Sequence, residues 1–228
     1  MSEHGLSRAE VLVLSFLLDQ TTPVRQIHIA DETGVTQARV SQILGGTDAD
    51  GWTERSADGW SARRLGELFE RLATARAPRT EAVDRWYSLD NGQRQIELAM
   101  DQAAAQNVSL RVGGDWAADR IAPWRIPGLV VLHCDAHLDL EPAGFVPIED
   151  DRSEATTEVR VGRIPPGWRC DIAFAGALGG PHAQAWPLAP ITEVAREILA
   201  AGGPDAADAV AELEQRFLSA RAHLGGAA

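Results

Sequence analysis

The chain contains no lysine. All 21 basic residues are arginine, set against 33 acidic residues, for a formal charge of −12. That balance excludes a global electrostatic attraction to nucleic acid or to an anionic membrane, so any polyanion must be met by a local basic surface. The missing lysines suit a GC-rich coding composition, with a preference for arginine's planar, phosphate-matching fork as the other reading. Cysteine is almost absent too, with only Cys134 and Cys170. Two cysteines exclude a disulfide scaffold and fit reduced, buried thiols in the cytosol. Long apolar runs are lacking as well. The longest, VLVLSFLL at 11–18, is well short of the roughly 20 residues needed to span a bilayer, and no basic segment of a signal peptide precedes it. These absences together lead us to expect a cytoplasmic protein with no membrane partner.

What remains is an ordinary globular composition, 45% apolar and 24% charged, over 228 residues. That length suits two domains. The charge is divided unevenly: residues 1–76 hold 8 arginines against 11 acids, and residues 77–228 hold 13 against 22. The acidity therefore resides mainly in the second part.

The first part has helical punctuation. Ser7 and Glu10 form a capping-box pattern ahead of RAEVLVLSFLLD, in which Val11, Leu14, Leu17 and Leu18 follow helical spacing. Pro23 breaks the chain before a second helix in VRQIHIADET. A third helix is expected in TQARVSQIL, with Thr36 as its N-cap. Ala30 is small enough for a close helix crossing, Gly34 suits a left-handed turn, and Val40 and Ile43 fall on a buried side. This is the spacing of a helix-turn-helix, although any helical hairpin with the same four residues would share it. Around the third helix Gln37, Ala38, Ser41 and Gln42 lie opposite the apolar side, with Arg39 at the edge and no acid among them. Such side chains suit base edges in a major groove, or else form a plain solvated face.

After this helix, WTER and GWSA flank Asp58-Gly59, the pattern of a β-hairpin and hence of a wing. Arg55, Arg63 and Arg64 around it, and Arg25 at the start of the second helix, are candidate phosphate contacts. Surface pairing of the wing arginines with Glu54, Asp58 and Glu67 is the alternative.

The second part alternates strand and helix patterns. A linker is expected at 77–84 around Pro78, then a mixed α/β domain over 85–228. RWYSLD reads as a strand or turn, with a helix starting near Asn91. VSLRVGG, LVVLHCD and TTEVRV read as strands, and DWAADRIA as a short helix capped by Asp115. From Ala183 onward the pattern is helical, broken at residues 202–204. The final helix, 204–223, is the one candidate for dimerisation. The fold class expected is thus α+β, a winged helix-turn-helix at 1–76 followed by a mixed α/β domain.

WYSLD at 86–90, RVGGDWAADRIAPWRIP at 111–127, AGFVPIEDD at 143–151 and GGPDAADAVAELEQRF at 202–217 occur in that order. Preceded by a winged helix, the series resembles the AbiEi family of antitoxins of type IV toxin–antitoxin systems, in its actinobacterial, MarR-type form. The resemblance covers most of residues 6–220, and GDWAADRIAPWR is its most specific part. It implies a repressor that binds operator DNA near its own promoter. It also implies a C-terminal domain opposing a nucleotidyltransferase-like toxin without a stable complex. The family's pattern has Ser-Gly where this chain has Gly113-Gly114, and an aromatic residue at the position of His133.

Other chemistry is weakly signalled. His133, Asp135, His137 and Asp139 alternate, and on a strand would share one face, a pattern that suits a divalent metal or a polar strand edge. The Gly-Gly-Pro runs at 179–181 and 202–204 lack the Lys-Ser/Thr of a phosphate loop and read as helix punctuation. Trp116, Trp124, Trp168 and Trp186 read as core and domain-contact anchors. We expect no catalytic residues, cofactor or metal. Two other classes stay open: a ligand-sensing regulator whose C-terminal domain binds a small molecule, and a metal-dependent hydrolase using the 133–139 cluster. A homodimer is compatible with the motif.

Overall fold

The structure is a computed structural model that describes residues 5–75, 81–149, 154–170 and 186–225. The expectations for Pro78 and for the Gly-Gly-Pro run at 179–181 lie outside the described residues.

Helices α1 (Arg8–Asp19), α2 (Gln26–Thr33) and α3 (Gln37–Ala49) are followed by the hairpin β1 (Thr53–Arg55) and β2 (Trp60–Ala62), then α4 (Leu65–Ala73). The local signals act as expected. The Ser7 N–H donates to Glu10 at 2.7 Å and the Glu10 N–H to Ser7 Oγ at 3.4 Å, closing the capping box of α1. Gly34 ends α2 with φ at +64°, a left-handed conformation that costs other residues free energy. Gly59, at φ +148°, is required by space as well: a Cβ there would lie 2.5 Å from the Val24 carbonyl oxygen. That approach lets Val24 and Trp60 exchange two backbone bonds of 2.9 Å, adding a short third rung to the wing.

Two local expectations need correction. Helix α3 does not stop at Leu44 but runs through Gly45 and Gly46 to Ala49. Thr47 is buried, its hydroxyl bonded to the Ile43 carbonyl at 2.9 Å and to Thr53 at 3.0 Å, so the wing strand holds the last turn helical. The extension brings Asp48 onto the helix, at the end away from Gln37. Helix α1, in turn, buries more than one stripe: Val13, Ser15 and Phe16 are covered along with the expected Val11, Leu14, Leu17 and Leu18. A helix apolar all round needs partners all round, and the second part of the chain supplies them.

That part consists of β3 (Ala82–Tyr87), α5 (Gly92–Gln106), β4 (Leu110–Gly113), α6 (Gly114–Ile121), β5 (Val130–Cys134), β6 (Val146–Pro147), β7 (Thr157–Val161), α7 (Ile191–Ala201) and α8 (Ala206–Gly225). The strands form one mixed sheet in the order β4-β5-β7-β3-β6, with β5 and β7 parallel and the other pairs antiparallel. Alternation along the strands divides the sheet into unlike faces. Leu132, Val159 and Val161 lie on the side of α5, where the Thr157 hydroxyl donates to Gln95 at 2.6 Å. His133 and Arg160, paired across β5 and β7, look the other way toward α7.

Helix α7 is the centre of the molecule. It is buried from Ile191 to Ile198 and packs against α4, α6 and α8. The Ser15 and Thr192 hydroxyls bond at 3.0 Å between α1 and α7, and the Phe69 and Phe217 rings stack between α4 and α8. A single buried apolar cluster thus runs from the winged helix into the sheet domain. Residues 186–190 are not helical as expected: Pro190 sets the start of α7, and Leu188 bridges to Val112 beside the sheet. The apolar stripe of α8, Ala209, Leu213, Phe217 and Ala220, is buried within the chain, so dimerisation through this helix is not available to that stripe. Gly202 punctuates α7 as expected.

Candidate nucleic-acid interface and an adjoining charged cleft

The front of α3 is presented without obstruction. Thr36 caps it, its hydroxyl accepting from the Arg39 N–H at 3.4 Å, and Gln26 of α2 donates to the Gln37 carbonyl at 2.9 Å. These two bonds fix where the helix begins. Val40, Ile43 and Leu44 are buried behind it, while Thr36, Gln37, Ala38, Arg39, Ser41 and Gln42 are all exposed. Arg39 reaches Gln42 at 3.4 Å, which orients both over the helix surface.

The surrounding arginines differ in how they are held. Arg25 is exposed at the start of α2. Arg55 lies over the Trp60 ring at 5.9 Å. Arg63 pairs with Glu54 at 3.5 Å, and Arg64 donates to Glu67 at 3.0 Å while lying 4.9 Å over the Trp52 ring. So Arg63 and Arg64 do make the surface pairs that were the alternative reading. Such exposed pairs hold geometry but contribute little energy, so phosphates can exchange for them. Arg71, not foreseen, flanks the same Trp52 ring at 5.6 Å; its place in α4 gave no sequence signal.

The alternating residues at 133–139, the weaker metal alternative, do not come together. Strand β5 ends at Cys134, and the carboxylates beyond it serve the backbone: Asp135 accepts from the Ser109 N–H at 2.8 Å and Asp139 from the Glu141 N–H at 3.0 Å. His137 turns outward to Asp84 at 2.6 Å. Asp115 is no helix cap either. The α6 N-cap is Gly113, and Asp115 instead bonds Arg125 at 2.6 Å. Trp124 is half exposed, so it is not a core anchor, whereas Trp186 is buried beside Trp116. Cys134 and Cys170 are buried as expected, and burial pushes the Cys134 thiol up to about 12.

His133 belongs to a different constellation. Its Nε2 lies 2.8 Å from Glu197 of α7, whose carboxylate also accepts from Arg160 and, at 2.7 Å, from the Gly114 N–H. Arg160 continues to Glu158 at 3.3 Å, and Glu193 is paired with Arg196. Burial alone would raise the Glu197 carboxyl, but His133, Arg160 and the Gly114 N–H hold it below the usual carboxylate range. A Cβ on Gly113 would collide with Glu197 and lie 3.0 Å from His133. Gly113 and His133 therefore meet at this one carboxylate. The sequence did hold a signal for the network. Glu158 and Arg160 alternate on a central strand, and Glu193, Arg196 and Glu197 interrupt an otherwise apolar helix.

The network forms the floor of a cleft of about 270 Å³ between α1, the end of β7 and α7. The segment after β7 then leaves the sheet and lies on the helix-turn-helix. There the Gly167 N–H donates to the Glu32 carbonyl at 2.9 Å, and the Arg163 guanidinium covers Gly34.

Helices α1–α4 with the β1–β2 hairpin make a winged-helix DNA-binding domain. Residues 4–64 match the profile of the MarR family, so this part of the chain is a MarR-family winged-helix domain, as found in DNA-binding transcriptional regulators. No curated protein and no solved structure matches the chain. Among the described residues no helix is long and apolar enough to cross a membrane.

Proposed function

We propose that this chain represses its own operon as the antitoxin-like member of a type IV toxin–antitoxin pair. The observation that carries its DNA-binding half is the exposed front of α3, where Gln37, Ala38, Ser41 and Gln42 stand together without an acid in a chain of net charge −12. In this reading residues 1–76 hold the operator and residues 85–228 act against a nucleotidyltransferase-like toxin; the linker expected at 77–84 ends earlier, because β3 already begins at Ala82. The four α3 residues contact base edges in the major groove. Arg25, Arg39, Arg55, Arg63 and Arg64 position the domain on phosphates. Two copies bind symmetric half-sites as a homodimer. The antitoxin role rests on the resemblance carried by GDWAADRIAPWR.

Because the basic surface is local, affinity falls steeply as salt releases the advantage of displaced counterions. A mobility-shift titration of the flanking intergenic DNA at two salt concentrations tests this. No sequence-specific shift at low salt overturns it. A nucleotidyltransferase gene beside this one, and relief of its toxicity on co-expression, test the antitoxin half.

A second reading, a ligand-sensing regulator, is favoured by the cleft that lies between α1 of the winged helix and the sheet domain.

A further inference from the structure

Three arginines from three elements converge beside the start of α3. Arg39 belongs to α3 itself, Arg8 to the first turn of α1, and Arg163 to the segment that leaves β7. They line an open hollow whose other walls include Leu12, Gly34, Thr36 and Pro165, and no acidic residue lines it. All three side chains are exposed, and among the described residues none of them makes an ion pair. That is a departure in a chain where acids outnumber arginines 33 to 21. Arg160 and Arg196, nearby at the sheet and α7, are bound to Glu197 and Glu193. Like charges left together without a counter-charge repel one another, and an anion placed among them removes that cost.

Arg163 lies outside residues 4–64, the part that matches the MarR family, and its own segment holds it against the winged helix. The Gly167 N–H donates to the Glu32 carbonyl at 2.9 Å, and Trp168 packs edge-on against His133 with ring centroids 4.8 Å apart. The guanidinium rests on Gly34, where the missing Cβ leaves room for it. Packing on Gly34 accounts for the position of the side chain but not for its charge, because that surface is backbone and offers no carboxylate. The place of the hollow decides which anion fits. It adjoins Thr36 and Arg39, at the end of α3 where the exposed front begins. A duplex seated on that front carries its phosphates past the end of the helix, and contacts to them set register without reading sequence.

We propose that Arg163 of the sheet domain, together with Arg8, holds a backbone phosphate of the same duplex that α3 reads. The inference rests on the DNA-binding reading above. It extends the basic surface beyond the arginines of the helix-turn-helix and the wing, and it makes the second domain part of the DNA-binding unit. The guanidinium fork suits a phosphate through two parallel N–H bonds, a geometry that an uncharged amide does not supply.

The test is a fluorescence-anisotropy titration of the full chain on the flanking intergenic duplex and on a scrambled duplex, at several salt concentrations. Arg163→Ala weakens binding to both duplexes about tenfold and lowers the salt slope by about 1, as the loss of one phosphate contact requires. Arg8→Ala acts in the same direction. Arg163→Gln keeps a polar side chain over Gly34 without the charge, and it behaves as Arg163→Ala does. The control Arg94→Ala, on α5 and paired with Glu97, changes neither affinity nor slope. Parental affinity and slope in Arg163→Ala overturn the contact. Parental values in Arg163→Gln overturn it as well, since the side chain is then only a latch on the turn. A loss confined to the intergenic duplex also overturns it. If the parent binds neither duplex at low salt, the DNA-binding reading fails; if it binds and the Arg163 variants match it, only the role of Arg163 fails.

Discussion

The Phe69 and Phe217 rings stack with centroids 5.6 Å apart and planes tilted by 36°. One ring belongs to the last helix of the winged-helix domain and the other to the last helix of the chain, and both are fully buried. The DNA-binding domain therefore completes its core with residues that lie nearly 150 positions away in sequence.

Truncating that contact should destabilise both parts at once. Phe217→Ala removes a fully buried ring and should cost about 3–5 kcal/mol, seen as a lower midpoint in a single cooperative denaturant transition. Two separate transitions, with the winged helix unaffected, would show that the shared core contributes nothing to the domain's stability.

Specific and positioning contacts should separate on DNA. Gln42→Ala should cost roughly 1–3 kcal/mol on the preferred site and relax specificity at one position, because the proposed bidentate contact to a base is lost. Binding titrations on the preferred and a scrambled site make the comparison. An equal loss on both would place Gln42 on phosphates.

Arg64 offers a test in which stability and DNA binding move in opposite directions. It holds a left-handed backbone with φ at +49°, a conformation that costs a side-chain-bearing residue about 1 kcal/mol and glycine little. Arg64→Gly should therefore leave thermal stability unchanged or raised. With the guanidinium gone, it should also weaken binding to all sequences about equally and reduce the salt dependence. A variant that loses stability instead would mean that the pairing with Glu67 and the stacking on Trp52 outweigh the strain.

The charged floor of the cleft should set an acid limit. The Glu197 carboxyl is held below its ordinary value in the folded chain, so its contribution to stability is fully present above the unfolded value near 4.5. It is lost as pH falls from there through the lowered folded value. In Glu197→Gln the loss of stability between neutral pH and the acid range should be shallower than in the parent, as followed by urea midpoints at several pH values. Parallel curves would remove Glu197 from the acid response.

Cys134 should be chemically silent while the chain is folded. Burial pushes its thiol up to about 12, and the thiolate is the reactive form. Reaction with a disulfide reagent near pH 8 should proceed only at the rate at which β5 opens and should become fast in denaturant. Rapid labelling under native conditions would contradict the burial.

The winged helix was legible because its signals are local. A capping box joins Ser7 to Glu10, a glycine sits where the turn needs φ above zero, and Asp58-Gly59 closes a hairpin within a few residues. Each depends on neighbours in sequence, so the residues at the front of α3 follow from spacing alone. The alternating strands of the second part were equally readable, as was the placing of most of the acidity there. The tertiary structure decided what no short window contains. Only across more than sixty residues does His133 meet Glu197 and not the carboxylates two and six positions after it, because the strand ends and the chain turns. Likewise, only the folded chain brings Arg163 onto Gly34 and surrounds α1 with a second domain. An apolar run states how much surface must be covered; the partner that covers it, and the cleft left between them, are fixed by packing.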